Sequence, residues 1–225
     1  MNAELAVDLL SVKTKTTSYY IFITLKRIFD IMVSVVGLMI LLPIIVLVKI
    51  AYLISGDKES IFYTQNRIGL YGKEFKIYKF RTMVPNADEL LEEILKNPLR
   101  RREYQINKKL HNDPRMTKVG KFLRETSIDE LPQMLNVLKG DMAIVGNRPY
   151  LPKEKKDMGY YFDKIVETKP GITGMWQTHG RSNTTFQKRL EIESKYSDDY
   201  SMSGDFSIFI KTFKVVATRD GSKNK

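Results

Sequence analysis

No cysteine occurs anywhere in the chain, histidine appears twice (His111 and His179) and tryptophan once (Trp176). The missing thiols exclude a disulfide framework, a thiolate zinc site and a cysteine nucleophile, and they suit a catalytic domain facing the cytoplasm. Two histidines leave no basis for a histidine-rich metal site or a histidine acid–base pair, and His179 alone reads as a surface or satisfied polar residue. Carboxylates and basic side chains must carry any chemistry. Internal repeats and low-complexity stretches are lacking too, and 225 residues suit one globular domain with a modest core rather than two large ones.

What is abundant is positive charge: 37 Lys plus Arg against 26 Asp plus Glu, a net of +11. Such a surface attracts polyanions, whether nucleic acid, anionic lipid or phosphate-bearing substrates, and charge alone does not choose among them. Residues 1–20 read as a polar tail and residues 218–225 as another. Between them, Ile31 to Val48 carries no charged residue, a run of about the length that enters a bilayer. A straight transmembrane helix is the ordinary reading. Two features oppose it: Pro43 removes a backbone hydrogen bond inside the run, and basic residues flank both ends, Lys26 and Arg27 before it and Lys49, Lys58 and Arg67 after it. A spanning helix biases positive charge to one side, so this symmetry favours a segment, residues 21–55, that enters one leaflet and returns.

From residue 56 to residue 217 the pattern becomes that of a folded domain. Ile61-Phe62-Tyr63 and Phe75 to Phe80, separated by Gly69 and Gly72, read as a β-hairpin. Ala87 to Leu110 has helical spacing with a break at Pro98, Lys118 to Leu138 is a second helical region interrupted by turns, and Lys169-Pro170-Gly171 with Gly174 reads as a loop before Trp176. Phe206 to Val216, apolar with Lys211 and Lys214 interleaved, suits either core packing or an interfacial helix. The expected fold class is α+β, mostly helical.

The most informative segment runs from Arg124 to Gln133. Ser127-x-x-Glu130 matches a capping box, and Asp129 could itself cap a helix start, so capping alone explains the acidic pair. Its surroundings argue for more: Lys79-Phe80-Arg81, Asp113-Pro114-Arg115, Arg124 and Gly146-Asn147-Arg148-Pro149 supply the cations of a phosphate pocket. Carboxylates in such a pocket repel the substrate unless one shares a magnesium ion with phosphate oxygens or attacks phosphorus directly. Neighbouring residues on a helix diverge, so Asp129 and Glu130 are expected to divide these two tasks.

Several segments in order, Lys26 to Asp30, Gln65 to Gly69, Phe75 to Met83, Ser127 to Gln133, Leu138 to Met142, Gly146 to Pro149 and Lys169 to Gly174, resemble the bacterial sugar transferases, the monotopic polyprenyl-phosphate phosphoglycosyl transferases, over residues 21 to 217. The resemblance implies a re-entrant membrane helix broken at Pro43, a helical catalytic domain on the cytoplasmic face of the bacterial inner membrane, and a two-step reaction. A sugar 1-phosphate passes from a UDP-sugar to an aspartate, releasing UMP, and then to undecaprenyl phosphate, the first membrane step of capsule, exopolysaccharide or O-antigen synthesis. By matching positions, Asp129 is the implied nucleophile, Glu130 the magnesium ligand, Arg148 a phosphate-binding residue and Arg124 a residue positioning anionic groups; Lys79, Arg81 and Arg115 are weaker phosphate-binding candidates. The expected partners are the UDP-sugar, undecaprenyl phosphate and membrane lipid, with a homodimer left open and no nucleic acid.

Two departures stand out: Asn147 replaces the first proline of a Pro-Arg-Pro motif, which should loosen that loop, and Leu42 replaces a serine before Pro43. The chain resembles the minimal form of the family, without the additional N-terminal membrane domain of larger members. Gly174 to Gln177 and Gly180-Arg181-Ser182 resemble members using galactose or glucose. An N-acetylhexosamine phosphate donor, a non-catalytic membrane adaptor held by basic patches, and a nucleic-acid binder are the competing readings.

Overall fold

The computed structural model describes residues 17–179 and 184–217. The apolar run forms the middle of a single helix, α1 (Thr17–Ile54), which is helical through Pro43. The break expected at Pro43 therefore does not divide it; a proline costs one intrahelical bond, and the flanking apolar residues packed on the domain hold the helix together across it. A stripe of α1 at heptad-like spacing, Asp30, Ser34, Leu41, Val48 and Tyr52, is buried against the rest of the protein. The opposite face exposes Ile21, Leu25, Met32, Met39, Leu42 and Leu47 among others.

The expected hairpin is β1 (Phe62–Ile68) and β2 (Glu74–Phe80), antiparallel, with Tyr63 opposite Lys79, Gln65 opposite Ile77 and Arg67 opposite Phe75. Residues opposite one another share a face, so Gln65, Arg67, Ile77 and Lys79 all point the same way. The helical stretch broken at Pro98 is α2 (Ala87–Ile94) and α3 (Pro98–Asn107), the latter capped by the Asn97 side chain. Next come α4 (Lys118–Glu125), a 3₁₀ helix over Ile128–Gln133, and α5 (Met134–Lys139). Asn136, fully buried in α5, accepts a bond from Tyr78 N at 3.0 Å and donates to Lys76 O at 2.7 Å. Its carboxamide thus takes the place of a further strand at the free edge of β2 and sets the 3₁₀ helix against the hairpin.

The Lys169–Gly174 segment differs from expectation. Instead of a plain loop it contains β4 (Gly171–Thr173), which pairs in parallel with β3 (Ala143–Val145). Three-residue strands buried on both faces carry no alternation for a sequence to display. The glycines are required by proximity: a Cβ on Gly146 would lie 2.3 Å from Lys169 O, and one on Gly171 2.1 Å from Gly146 N. Between the strands lie α6 (Lys155–Met158) and α7 (Tyr161–Ile165), and after them α8 (Met175–His179), α9 (Phe186–Asp199) and α10 (Met202–Ala217).

Three apolar clusters result. One gathers Ile77, Val137, Met142, Val145, Tyr196 and Ile208 beneath the first half of α1; a second gathers Leu41, Val48, Tyr52, Ile61, Phe80 and Leu123 beneath its second half; a third, around Tyr150, Met158, Phe186 and Leu190, supports the loop carrying Arg148. The residues expected as an interfacial stretch divide accordingly. Ile208 is core, whereas Phe206, Ile210 and Phe213 form an exposed face of α10.

Candidate active site

Asp129 and Glu130 lie in the first turn of the 3₁₀ helix, and no side-chain cap is made there. Ser127 precedes it with left-handed backbone (φ 59°), not the extended conformation of a capping serine, so the capping-box explanation does not describe this structure. Asp129 is buried, at 7% exposure. Glu130 pairs with Lys79 of β2, Nζ to Oε1 2.9 Å. Adjacent residues of a 3₁₀ helix diverge by about 120° around its axis.

Beside Glu130 lies a shallow cleft, open to solvent, whose lining includes Lys79, Glu130, Gln133, Arg67, Arg148 and Gln177. Lys79 and Arg67 come from one face of the hairpin, Gln133 and Glu130 from the 3₁₀ helix, and Arg148 from the loop after β3. Of the expected phosphate ligands, then, Lys79 and Arg148 share the cleft with Glu130, and Lys79 pairs with it. Arg124 is half-buried at the end of α4, its Nη1 3.4 Å from Met116 Sδ, and is not part of the cleft lining.

Arg81 and Arg115 are committed elsewhere. The Arg81 guanidinium holds both Asp57 oxygens at 2.9 Å, donates to Ser60 O at 2.7 Å and to Met83 O at 3.0 Å, and stands over the Tyr52 ring at 4.7 Å. Arg115 is buried with Asp113, at 2.9 and 2.6 Å. Burial opposes the charge on Asp113, but the hydrogen bonds from Arg115 outweigh it and hold the carboxyl below its ordinary range. Both arginines join segments of backbone outside the cleft. Sequence proximity to the acidic pair does not distinguish such structural arginines from ligand-binding ones.

Asn147 also differs from expectation. Far from loosening the loop, it is 3% exposed, and its Nδ2 lies 2.7 Å from Ser197 Oγ and 3.2 Å from both Ile165 O and Thr168 Oγ1. Side-chain hydrogen bonds do here what a proline ring would do through a fixed φ. Trp176 is neither plain core nor an open platform. Its ring lies 4.1 Å from Arg189 Cζ and 5.6 Å from Arg148 Cζ, and its Nε1 donates to Thr184 Oγ1 at 2.7 Å. Gly180, Arg181 and Ser182, together with the side chain of His179, lie outside the described residues.

Behind Arg148 sit three residues that no motif or spacing singles out: Tyr150, Arg189 and Glu193, at 2%, 5% and 1% exposure. Burial pushes the Glu193 carboxyl up to about 7, against the pull of Tyr150, Arg189 and the Arg148 backbone and charge. Arg67, in the sequence a charge flanking the apolar run, belongs to the cleft. Burial, with Arg148 alongside, brings its guanidinium down to about 10.

A family model described as bacterial sugar transferase matches residues 21–219. The chain belongs to the bacterial sugar transferase family. Among its relatives, the undecaprenyl-phosphate galactose phosphotransferase of Salmonella typhimurium is 43% identical over 199 residues, covering 88% of this chain and 41% of its own length. The UDP-glucose:undecaprenyl-phosphate glucose-1-phosphate transferase of Escherichia coli is 35% identical over 84% of this chain and 40% of its own. The exopolysaccharide production protein ExoY of Sinorhizobium fredii is 39% identical, covering 88% of this chain and 87% of its own. The chain spans about two-fifths of the length of the first two of these relatives.

Proposed function

We propose that this sugar transferase moves a hexose 1-phosphate, galactose or glucose, from a UDP-sugar to undecaprenyl phosphate at the cytoplasmic face of a bacterial inner membrane. The observation that carries this reading is the placement of a buried aspartate next to a carboxylate–lysine pair at the mouth of a cleft lined by two arginines. The relatives' names, which specify galactose, glucose and undecaprenyl phosphate, supply the substrate class.

Asp129 attacks the sugar-bearing phosphorus through a carboxylate oxygen. A new P–O bond forms, the bond to the bridging oxygen breaks, and its electron pair leaves with UMP. A phosphate oxygen of undecaprenyl phosphate then attacks the same phosphorus and releases Asp129. Lys79 holds Glu130 in place, and Arg148 offers its guanidinium to phosphate oxygens.

Among the described residues no group of three or more His, Asp or Glu side chains gathers for a metal. A lone carboxylate, Glu130, beside a phosphate cleft nonetheless fits magnesium, which is commonly held by one or two carboxylates together with substrate phosphates. Bound there, the ion would neutralise charge on the transferring phosphates.

The membrane reading follows from how α1 is anchored. Lys26 reaches Val145 O and Asp205 near one end, and Tyr52 reaches Arg81 O near the other. These anchors, 26 residues apart, are about 39 Å apart along the axis, more than the roughly 30 Å of a hydrocarbon core, yet both contact one polar domain. A helix crossing the bilayer would carry that domain in with it. This supports a helix seated in one leaflet through its exposed apolar face, with both ends on the same side.

The test is UMP release by the membrane-purified protein given undecaprenyl phosphate, magnesium and each common UDP-sugar. Release with UDP-galactose or UDP-glucose, reduced at least a thousandfold in Asp129→Asn, is expected. Release with an N-acetylated donor alone would reassign the sugar, and an active Asp129→Asn would remove the nucleophile.

A further inference from the structure

The cleft contains hydrogen-bonding capacity that the protein does not use. Gln133 is 2% exposed, lines the cleft, and its Nε2 has no hydrogen-bond partner; Arg67 lines the same cleft, and its buried Nε has none either. Buried donors are almost always paired, because an unpaired one forfeits its hydration, so two in one cleft call for an explanation. Neither is loosely placed. Arg67 is clamped through its other nitrogens, Nη1 to Pro149 O at 3.1 Å and Nη2 to Gln65 Oε1 at 2.7 Å, which fixes the direction of its Nε–H. Gln133 ends the rigid 3₁₀ helix that begins with the acidic pair.

The lining charges point the same way. Arg67 and Arg148 each border the cleft, and burial first, then the nearby Arg148, disfavours the charge on Arg67, while Glu154, Tyr63 and Glu130 favour it. Two arginines brought together in a cleft that also presents unpaired N–H groups make a receptor for an oxyanion. Lys79 and Glu130 contact each other on one side of that cleft. In an in-line displacement the leaving oxygen departs on the side away from the nucleophile, so donors are needed at two places.

Resting on the phosphotransfer reading, we propose that Arg67 and Gln133, with Arg148, form a second anion subsite that grips the phosphate of the departing nucleoside monophosphate, separate from the groups around the sugar phosphate. As the bridging P–O bond breaks, its electron pair stays on the nucleotide phosphate, and the fixed Arg67 Nε–H and Gln133 carboxamide meet the added charge.

The experiment is calorimetric titration of the detergent-purified full chain with UMP and, separately, with uridine, for wild type, Arg67→Ala, Arg67→Lys and Gln133→Ala, with a melting curve for each. Wild type should prefer UMP to uridine by tenfold or more. Arg67→Ala and Gln133→Ala should lose most of that preference with uridine affinity unchanged, and Arg67→Lys, which keeps a charge but not the planar Nε–H edge, should recover only part of it. An unchanged preference in both alanine variants overturns the subsite. So does an equal loss of UMP and uridine binding with a lowered melting temperature, which would make these residues structural. A wild type that binds UMP in this way yet never transfers sugar phosphate would defeat the proposed function and leave the subsite standing.

Discussion

At the residue scale, the side chains that shape the site divide into those lining the cleft and those that hold them. Asn147 shows how a departure from the family motif is absorbed: three acceptors within 3.2 Å hold the loop that a proline would otherwise stiffen. Glu193 has the reverse character, a fully buried carboxyl lifted to about 7 from the usual 4.5. Because its proton is held more tightly in the folded state, its contribution to stability is complete below pH 4.5 and is lost as pH rises through about 7. The difference amounts to roughly 3 kcal/mol. The groups facing it are Arg189 from its own helix and Tyr150 and Arg148 from the loop. Melting curves at pH 5 and pH 8 should therefore show Glu193→Gln gaining on wild type at the higher pH; an equal difference at both would contradict the raised value. Asp129, Glu130, Lys79 and Arg148 stand out in the sequence as candidates because chemistry restricts residue type. Tyr150, Arg189 and Glu193 could not, since an Arg and a Glu four apart on a helix look the same whether solvated or buried.

At the element scale, the junction between α1 and the domain is made by polar side chains as well as apolar ones. Arg27 donates to Val137 O at 2.6 Å and Leu138 O at 2.8 Å, capping the C-terminal carbonyls of α5 from another helix. Through Asn136, the same short helix holds β2, which carries Lys79. Arg27→Ala should lower stability by about 1–3 kcal/mol in chemical denaturation of the solubilised protein, with Arg27→Lys intermediate because it lacks the two-pronged donor. The hairpin and the helices from Ala87 to Lys139 were legible because alternation, helical periodicity and Pro98 are local signals. The β3–β4 pair was hidden: its strands are three residues each, and what makes them strands is each other, 28 positions apart in register.

At the scale of the whole molecule, α1 lies across two of the three apolar clusters and leaves an apolar face uncovered, only 22% of its most apolar stretch being buried. With no native cysteine, single-cysteine variants at Lys15 and Glu59 report topology directly. A re-entrant segment predicts that an impermeant thiol reagent labels both from the cytoplasmic side alone; labelling of one from each side would establish a spanning helix. Residue type, period and motif order along the chain suffice for the family, the acidic pair, the long apolar run and the helical hairpin-bearing domain. Which arginines face the cleft depends instead on packing in three dimensions. Arg67 and Arg148 converge there while Arg81 and Arg115 are neutralised by Asp57 and Asp113, because whether a guanidinium remains available depends on which carboxylates and carbonyls the fold brings to it.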